Sequence, residues 1–327
     1  MEVFTKKRLQ LFSGRAHPEL ADEIGLALGV PLGETNLVDF ANGEIRCRFG
    51  ESVRGCDVFI IQSHTQTAEL SLNDSVMEQL IMIDAAKRAS AKRITAVAPF
   101  FGYARQDRKS SGREPITAKL LSDMFRVAGA DRIVSVDLHS GQIQGFFDGP
   151  VDHLTAMPVL LDYLRRNLDG EVVIVSPDSG RVKVAERYAN HLGAEVASIY
   201  KRRNRGAVNE VQALGIMGEV TGRTAVIVDD MIDTAGTMCQ AAEQLVAAGA
   251  VEVVAMATHG LFSGPAVDRL KNAPIAKVVV TNTLPLPPEK VFPALEVLTA
   301  ASVIADALDA VFEDTSVSEI FGGENVS

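Results

Sequence analysis

The chain has 327 residues, of which 47% are hydrophobic and 23% are charged, and its formal net charge is −10. This length allows about two domains of ordinary size. The acidic balance excludes nucleic acid as the expected main partner, because proteins that bind nucleic acid are usually basic. The apolar runs are shorter than the roughly 18 residues of a membrane-spanning helix, so we also expect no membrane partner.

Short apolar runs rich in Val and Ile alternate with longer amphipathic stretches along the chain. In chain order, the sequence predicts strands at 58–61, 94–98, 133–137, 172–176, 195–200, 224–229, 251–257 and 277–280, and helices at 73–90, 116–128, 158–167, 180–192 and 237–248. Continuous apolar strands between helices are typical of parallel sheets that are covered on both faces. The pattern therefore predicts a doubly wound α/β architecture.

The two halves of the chain look alike in outline, because strands 133–137 and 224–229 both end in acidic residues. Open α/β sheets bind ligands beyond the carboxyl ends of such strands. Pro158 can open a helix at its first turn, which favours a boundary close to it. We predict a first domain at residues 1–155, a second at 156–312, and a mobile polar tail at 313–327.

The three cysteines are Cys47, Cys56 and Cys239, and no pair of them has C-x-x-C spacing. An odd number of cysteines without that spacing favours a reducing compartment and argues against a structural zinc site. We therefore predict a cytoplasmic protein.

The segment 224–237 has the most specific pattern in the sequence and reads TAVIVDDMIDTAGT. A buried strand runs into Asp229 and Asp230, which can accept hydrogen bonds from neighbouring sugar hydroxyls. Residues 233–237 then open a helix, whose free N–H groups and dipole suit a phosphate. Its polar and small residues are Asp233, Thr234, Ala235, Gly236 and Thr237. The segment predicts a site for a pentose phosphate, although an acidic turn with an Asp or Thr helix cap is the simpler alternative.

Two cation-rich stretches stand out in this acidic chain, at 105–113 (RQDRKSSGR) and 201–205 (KRRNR). Such clusters indicate small, highly charged anions such as phosphates. Solvated surface loops remain the alternative for each of them.

Several longer motifs occur together with the 224–237 segment: PFFGYARQDR at 99–108, VDLH at 136–139, QIQGFFD at 142–148, SPD at 176–178 and TNTLP at 281–285. In this combination and order the chain resembles the ribose-phosphate diphosphokinases (phosphoribosyl pyrophosphate synthetases), from about residue 9 to about 308. The resemblance implies two tandem phosphoribosyltransferase-like domains, each a mainly parallel sheet flanked by helices. It also implies transfer of the diphosphoryl group of Mg-ATP to the 1-hydroxyl of ribose 5-phosphate, giving phosphoribosyl diphosphate and AMP for nucleotide, histidine and tryptophan biosynthesis.

The resemblance implies an ATP site without either common glycine-rich nucleotide motif. The residues concerned are Phe40, Asn42, Gly43 and Glu44 in one segment, and Arg105 and Gln106 in another. Phe40 would stack on adenine, and Arg105 would reach the triphosphate. The family usually has Asp where Asn42 stands, and by itself Asn42-Gly43 is typical of a hairpin turn.

By the same resemblance, His139 and Asp178 hold the Mg²⁺ of Mg-ATP, although a histidine is an unusual ligand for this ion. Lys201 and Arg203 would be the catalytic cations. Their cluster at 200–205 and the polar stretch 207–215 after it are typical of a mobile lid whose cations close over the reacting phosphates. Two departures from the family lie close to these residues, since Arg181 replaces a glycine and Tyr200 replaces an acid. We expect Arg181 to add a cation near the phosphates.

The segment 51–55 (ESVRG) resembles a regulatory site of the family, with Ser52 and Arg54 near a subunit interface. The implied regulators are inorganic phosphate and ADP. The resemblance also implies a homo-oligomer, a homohexamer built from dimers, because the segment 40–44 serves the site of a neighbouring subunit.

Two other functions compete with the synthetase. A nucleobase phosphoribosyltransferase would share the 226–237 loop, but the ATP-type segments and the complete second α/β half argue against it. A non-catalytic regulatory homologue is the other alternative, favoured by the departures at Asn42, Arg181 and Tyr200. Retention of His139 and Lys201, among others, argues for activity.

Overall fold

The structure is a computed structural model that describes residues 7–168, 170–202 and 213–321. Its first elements are β1 (Leu9–Ser13), α1 (Pro18–Leu28), β2 (Thr35–Asp39), β3 (Ile45–Phe49), β4 (Asp57–Ile61), α2 (Leu72–Arg88), β5 (Arg93–Ala98), α3 (Thr117–Ala128), β6 (Arg132–Val136), a 3₁₀ turn (Gly141–Gly145) and β7 (Val151–Leu154).

The remaining elements are α4 (Met157–Asn167), β8 (Val172–Ser176), α5 (Val182–Leu192), β9 (Glu195–Arg202), β10 (Ala213–Met217), β11 (Thr224–Ile232), α6 (Gly236–Ala247), β12 (Glu252–Gly260), α7 (Ala266–Asn272), β13 (Lys277–Thr281), a 3₁₀ turn (Pro288–Lys290), β14 (Leu295–Leu298), α8 (Ala301–Glu313) and α9 (Val317–Ile320).

The first unit is built on a five-stranded parallel sheet in the order β1-β4-β5-β6-β7. All five residues of β4 are buried, as expected for a strand inside a sheet with helices on its faces. Helix α2 begins with a capping box, in which Ser71 Oγ accepts from Asp74 N and Asp74 Oδ2 accepts from Ser71 N. This reciprocal pair satisfies two N–H groups that the first turn would otherwise leave unbonded.

The second unit is built on a seven-stranded sheet in the order β10-β9-β8-β11-β12-β13-β14. Only the β9–β10 pair is antiparallel, and the other neighbours run parallel. Its core contains apolar residues from both sheet and helices, among them Val175, Ile227 and Leu245. Both sheets agree with the predicted α/β class, and all predicted strands and helices are present with small differences at their ends.

The boundary between the units falls between Thr155 and Ala156, but the second unit is not contiguous. Residues 283–285 and 299–321 belong to the first unit, which corrects the expected second domain at 156–312. The reason is that the chain leaves the second sheet after β14, and the following helix α8 packs against α1 of the first unit. Local periodicity along the sequence carries no information about that long-range pairing.

The expected mobile tail from residue 313 is also corrected for residues 313–321. Helix α8 extends to Glu313, and the carboxylate of Asp314 pairs with Lys7 and Arg93. Helix α9 then buries Val317. Among the described residues, we find no helix with the length and apolar character that crossing a membrane requires.

Candidate active site

Three neighbouring strands of the second unit bring the predicted polar residues to one edge of its sheet. Strands β9, β8 and β11 run parallel, so their carboxyl ends meet at the same edge. Asp178 follows β8, and Asp229 and Asp230 lie near the end of β11. The edge of an open parallel sheet beyond the strand ends is the usual ligand position of this architecture.

The loop 233–237 connects β11 to the first turn of α6. Ala235 is the N-cap residue and has φ +59°, a left-handed conformation that costs a residue with a side chain about 1 kcal/mol or more. Ser263 N donates to Asp233 O at 2.9 Å, which fixes the start of the loop. The geometry directs the first N–H groups of a twelve-residue helix at the loop, a suitable arrangement for an anion.

Two cations at this loop were not predicted from the sequence. Arg269 of α7 donates from Nη1 to Thr234 O at 2.9 Å, and a β-carbon on Gly236 would lie 3.4 Å from the same nitrogen. Lys290 donates to Leu261 O at 2.6 Å, and burial lowers its pKa although Asp233 acts in the opposite direction. Both lie more than 30 residues after the loop in sequence, outside any recognisable motif.

Asp229 and Asp230 form a carboxylate pair that is bridged by Arg181. Arg181 Nε lies 3.2 Å from Asp229 Oδ1, and its Nη2 lies 2.6 Å from Asp230 Oδ1. Burial and the neighbouring carboxylate of Asp230 raise the pKa of Asp229, and Arg181 opposes that rise. The guanidinium of Arg181, which we expected to add a cation near the phosphates, faces the two predicted ribose-binding residues.

Asp178 lies at the tight turn between β8 and α5. Its Oδ1 accepts from Gly180 N at 2.7 Å, and its backbone oxygen accepts from Ser176 Oγ at 2.6 Å. The residue is exposed. An exposed carboxylate at a strand end has the donor chemistry that Mg²⁺ prefers.

The first unit gathers a second set of predicted residues at the carboxyl edge of its own sheet. Arg105 and Gln106 follow β5, and His139 follows the neighbouring strand β6. Buried Asp107 joins the two loops, because its Oδ2 accepts from Ser140 Oγ and from Gln142 Nε2, each at 2.5 Å. Arg105 and Gln106 are exposed, and His139 is half-buried.

Residues 40–44 form the turn of the β2–β3 hairpin, as the Asn42-Gly43 pair predicts. Phe40 N donates to Glu44 O at 2.8 Å, and Gly43 has φ +87°. The Phe40 side chain is 52% exposed, so its ring face is accessible for stacking. The turn geometry and the predicted contact with adenine are therefore compatible.

The sequence of the chain closely matches known proteins. Residues 9–129 match the N-terminal domain of ribose phosphate pyrophosphokinase, and residues 204–322 match the phosphoribosyl synthetase-associated domain. Ribose-phosphate pyrophosphokinases of Streptomyces coelicolor and Mycobacterium tuberculosis are 55% and 52% identical, with 97% and 98% of this chain and 97% of each relative covered.

The chain belongs to the ribose-phosphate pyrophosphokinase family. The crystal structure of phosphoribosylpyrophosphate synthetase from Mycobacterium smegmatis is 53% identical and superposes with a TM-score of 0.88, over 94% of this chain and all of that one. The α/β fold of the two units agrees with this match, and the chain is an enzyme of the transferase class with kinase chemistry.

Two cavities differ in how they relate to the predicted residues of this pyrophosphokinase. One of about 370 Å³ in the first unit is lined by Ser52 and Arg54, together with Arg48, Phe49, Glu51, Val53, Ala85 and Ala89. A larger one of about 510 Å³ in the second unit lies at the starts of β8, β9 and β11, near Arg223 and Glu195. That edge holds the amino ends of the strands, whereas the predicted site residues lie at the carboxyl ends. The size of a cavity therefore does not by itself locate the site.

Some predicted catalytic and metal positions of this family member have no described geometry. Arg203 and the stretch 203–212 lie outside the described residues, and only the backbone of Lys201 is described, in β9. Residues 213–215 of the expected lid belong to β10, paired with β9. Among the described residues, no three His, Cys, Asp or Glu side chains form a metal cluster, and His139 and Asp178 belong to different units.

Proposed function

We propose that the chain transfers the diphosphoryl group of Mg-ATP to the 1-hydroxyl of ribose 5-phosphate. The products are phosphoribosyl diphosphate and AMP, and the former serves nucleotide, histidine and tryptophan biosynthesis. The carboxylate pair Asp229–Asp230 beside a helix-start loop carries the proposal, because it offers acceptors for ribose hydroxyls and N–H groups for the 5-phosphate. Family membership supports the choice of substrates.

Each group of residues has one task in the proposed reaction. Asp229 and Asp230 orient the ribose, and Asp233 to Thr237 bind the 5-phosphate. Lys201, Arg203 and Arg105 neutralise the oxygens around the β-phosphorus, since phosphoryl-type transfer depends on positioning and charge neutralisation. Mg²⁺, held by His139 and Asp178, would supply further positive charge to the phosphates when it is bound.

Assembly, regulation and location follow the family as proposals. The cavity that Ser52 and Arg54 share would take inorganic phosphate or ADP, and Arg54 Nη1 donates to Ser90 Oγ at 3.2 Å at its edge. A homohexamer would place the hairpin 40–44 at the ATP site of a neighbouring subunit. All three cysteines are free, which supports a cytoplasmic enzyme.

A coupled assay for AMP tests the proposed reaction directly. Purified protein with Mg²⁺, ATP and ribose 5-phosphate should form AMP without any nucleobase, and inorganic phosphate should raise the rate. Phosphoribosyl transfer that requires a nucleobase would favour the transferase alternative. Assembly and ribose 5-phosphate binding without AMP formation would favour a regulatory homologue.

Replacing Phe40 with alanine tests the adenine site. Stacking of a base on an aromatic ring contributes about 1–3 kcal/mol, so the KM for ATP should rise by roughly tenfold or more. We expect little change in the KM for ribose 5-phosphate. Leu26→Ala, which shortens another exposed apolar side chain of the same unit, is the control. An unchanged KM for ATP in Phe40→Ala would exclude Phe40 from the nucleotide site.

A further inference from the structure

Arg181 makes contacts that the proposed roles of the neighbouring residues do not account for. It is the N-cap residue of α5, and its guanidinium bonds one oxygen of each of two consecutive aspartates. The Arg181 and Asp230 side chains are only 17% and 7% exposed. In such shielded surroundings, a charge-assisted contact is stronger than an ion pair on an open surface.

A positive charge stabilises the two aspartates side by side in their ionised form. Asp230 N donates to Asp229 Oδ1 at 2.8 Å, which fixes one carboxylate beside the backbone of the other residue. Carboxylates so close repel one another, and burial adds to the cost of having both ionised. Arg181 contacts both of them.

The planar guanidinium also fixes the directions of both carboxylates. It occupies the Oδ1 side of each group, through two different nitrogens. A fork of this kind fixes orientation as well as charge, which a single ammonium group cannot do. Carboxyl groups fixed in this way offer acceptors in fixed directions to two hydroxyl groups on neighbouring carbons.

We propose that Arg181 supplies the positive charge that lets Asp229 and Asp230 accept the ribose hydroxyls without a divalent cation beside them. The inference rests on the proposed ribose-binding role of the two aspartates. Arg181 is then a positioning residue, which acts on the sugar through the carboxylates. A glycine at this position would leave the charge to be balanced by another cation.

Calorimetric binding of ribose 5-phosphate, without ATP and in the presence of EDTA, tests this inference. We expect the unchanged protein to bind and Arg181→Gly to bind about 10- to 100-fold more weakly, the usual effect of losing a charged hydrogen bond. Adding Mg²⁺ should restore most of the lost affinity for ribose 5-phosphate in Arg181→Gly. It should change the affinity of the unchanged protein little. Arg181→Lys should fall between the two, because it restores charge without the fork.

Arg166→Gln is the matched control, because Arg166 is a 74% exposed cation of the same unit, paired with Asp162 one helical turn away. It should bind ribose 5-phosphate like the unchanged protein. Circular dichroism and a thermal melt of Arg181→Gly establish that the variant is folded, and glycine is tolerated at an N-cap position.

Each other outcome identifies what is wrong. The inference is overturned if Arg181→Gly and the unchanged protein bind ribose 5-phosphate equally well in EDTA. It is also overturned if Arg181→Gly is folded and binds weakly, and Mg²⁺ does not raise its affinity. If the unchanged protein binds ribose 5-phosphate only with Mg²⁺, the inference fails and the proposed function stands. If it binds under neither condition, the inference fails, and absence of AMP formation in the coupled assay as well would count against the proposed sugar site itself.

Discussion

Replacing Lys201 with alanine is expected to lower kcat by about 10²- to 10³-fold, the usual effect of removing one donor that stabilises charge in the transition state. The backbone supports this placement, because Ser198 of β9 pairs with Ser176 of β8 and Lys201 lies three residues further towards the carboxyl edge. Asp178 follows β8 at that same edge. The affinity for ribose 5-phosphate should change little, since its loop lies at the start of α6.

Asp233→Ala should affect mainly the binding of ribose 5-phosphate, whereas Lys201→Ala affects mainly kcat. Asp233 begins the loop at the start of α6, beside Lys290, so its loss should raise the KM for ribose 5-phosphate more than it lowers kcat. Steady-state kinetics of both variants, with each substrate varied in turn, measures the difference. Lys271→Ala removes an exposed lysine of the same unit and serves as the control. The same pattern of kcat and KM in Lys201→Ala and Asp233→Ala would contradict the separate roles.

The sequence was sufficient to predict the strand ends of the site. Parallel strands have their carboxyl ends at one edge, so Asp178 and Asp229 could be placed there without coordinates. The apolar runs were continuous because both faces of each sheet are covered, and this made the strands easy to recognise. Local pattern and tertiary environment agree in these elements.

Contacts between residues that are distant in sequence could not be predicted from these local patterns. Arg269 reaches the 233–237 loop from α7, and Arg181 reaches Asp229 and Asp230 from the start of α5. A long cationic side chain has many rotamers, and which anion it meets depends on packing that local periodicity does not encode. For the same reason, the return of α8 to the first unit was not predicted.

Arg15→Ala is expected to destabilise the first unit by about 3–5 kcal/mol, because it leaves a buried carboxylate without its cation. That carboxylate belongs to Glu78, whose side chain has no exposed surface in the structure. Glu78 Oε2 accepts from Arg15 Nε at 2.5 Å, and Oε1 accepts from Arg15 N at 2.7 Å and from Gln62 Nε2 at 2.8 Å. The alanine variant retains the backbone donor but loses the charge.

The other side of the same guanidinium holds the β2–β3 hairpin. Arg15 Nη1 and Nη2 donate to the two oxygens of Asp39 at 2.9 and 2.7 Å, and this contact lowers the pKa of Asp39. Asp39 directly precedes Phe40. Asp39→Ala should therefore leave stability almost unchanged, since its carboxylate is largely exposed, but it releases the hairpin that carries Phe40.

A pair of variants separates the buried contact from the exposed one. Urea unfolding should show a large decrease in the free energy of unfolding for Arg15→Ala and a small one for Asp39→Ala. Hydrogen exchange of the β1 and α2 amides in a second experiment should show the same difference. Adding Glu78→Gln to Arg15→Ala should recover part of the loss, because it removes the unpaired charge and keeps a similar shape. If Arg15→Ala and Asp39→Ala lose the same stability, the buried carboxylate does not depend on Arg15, and the contact with Asp39 accounts for the effect.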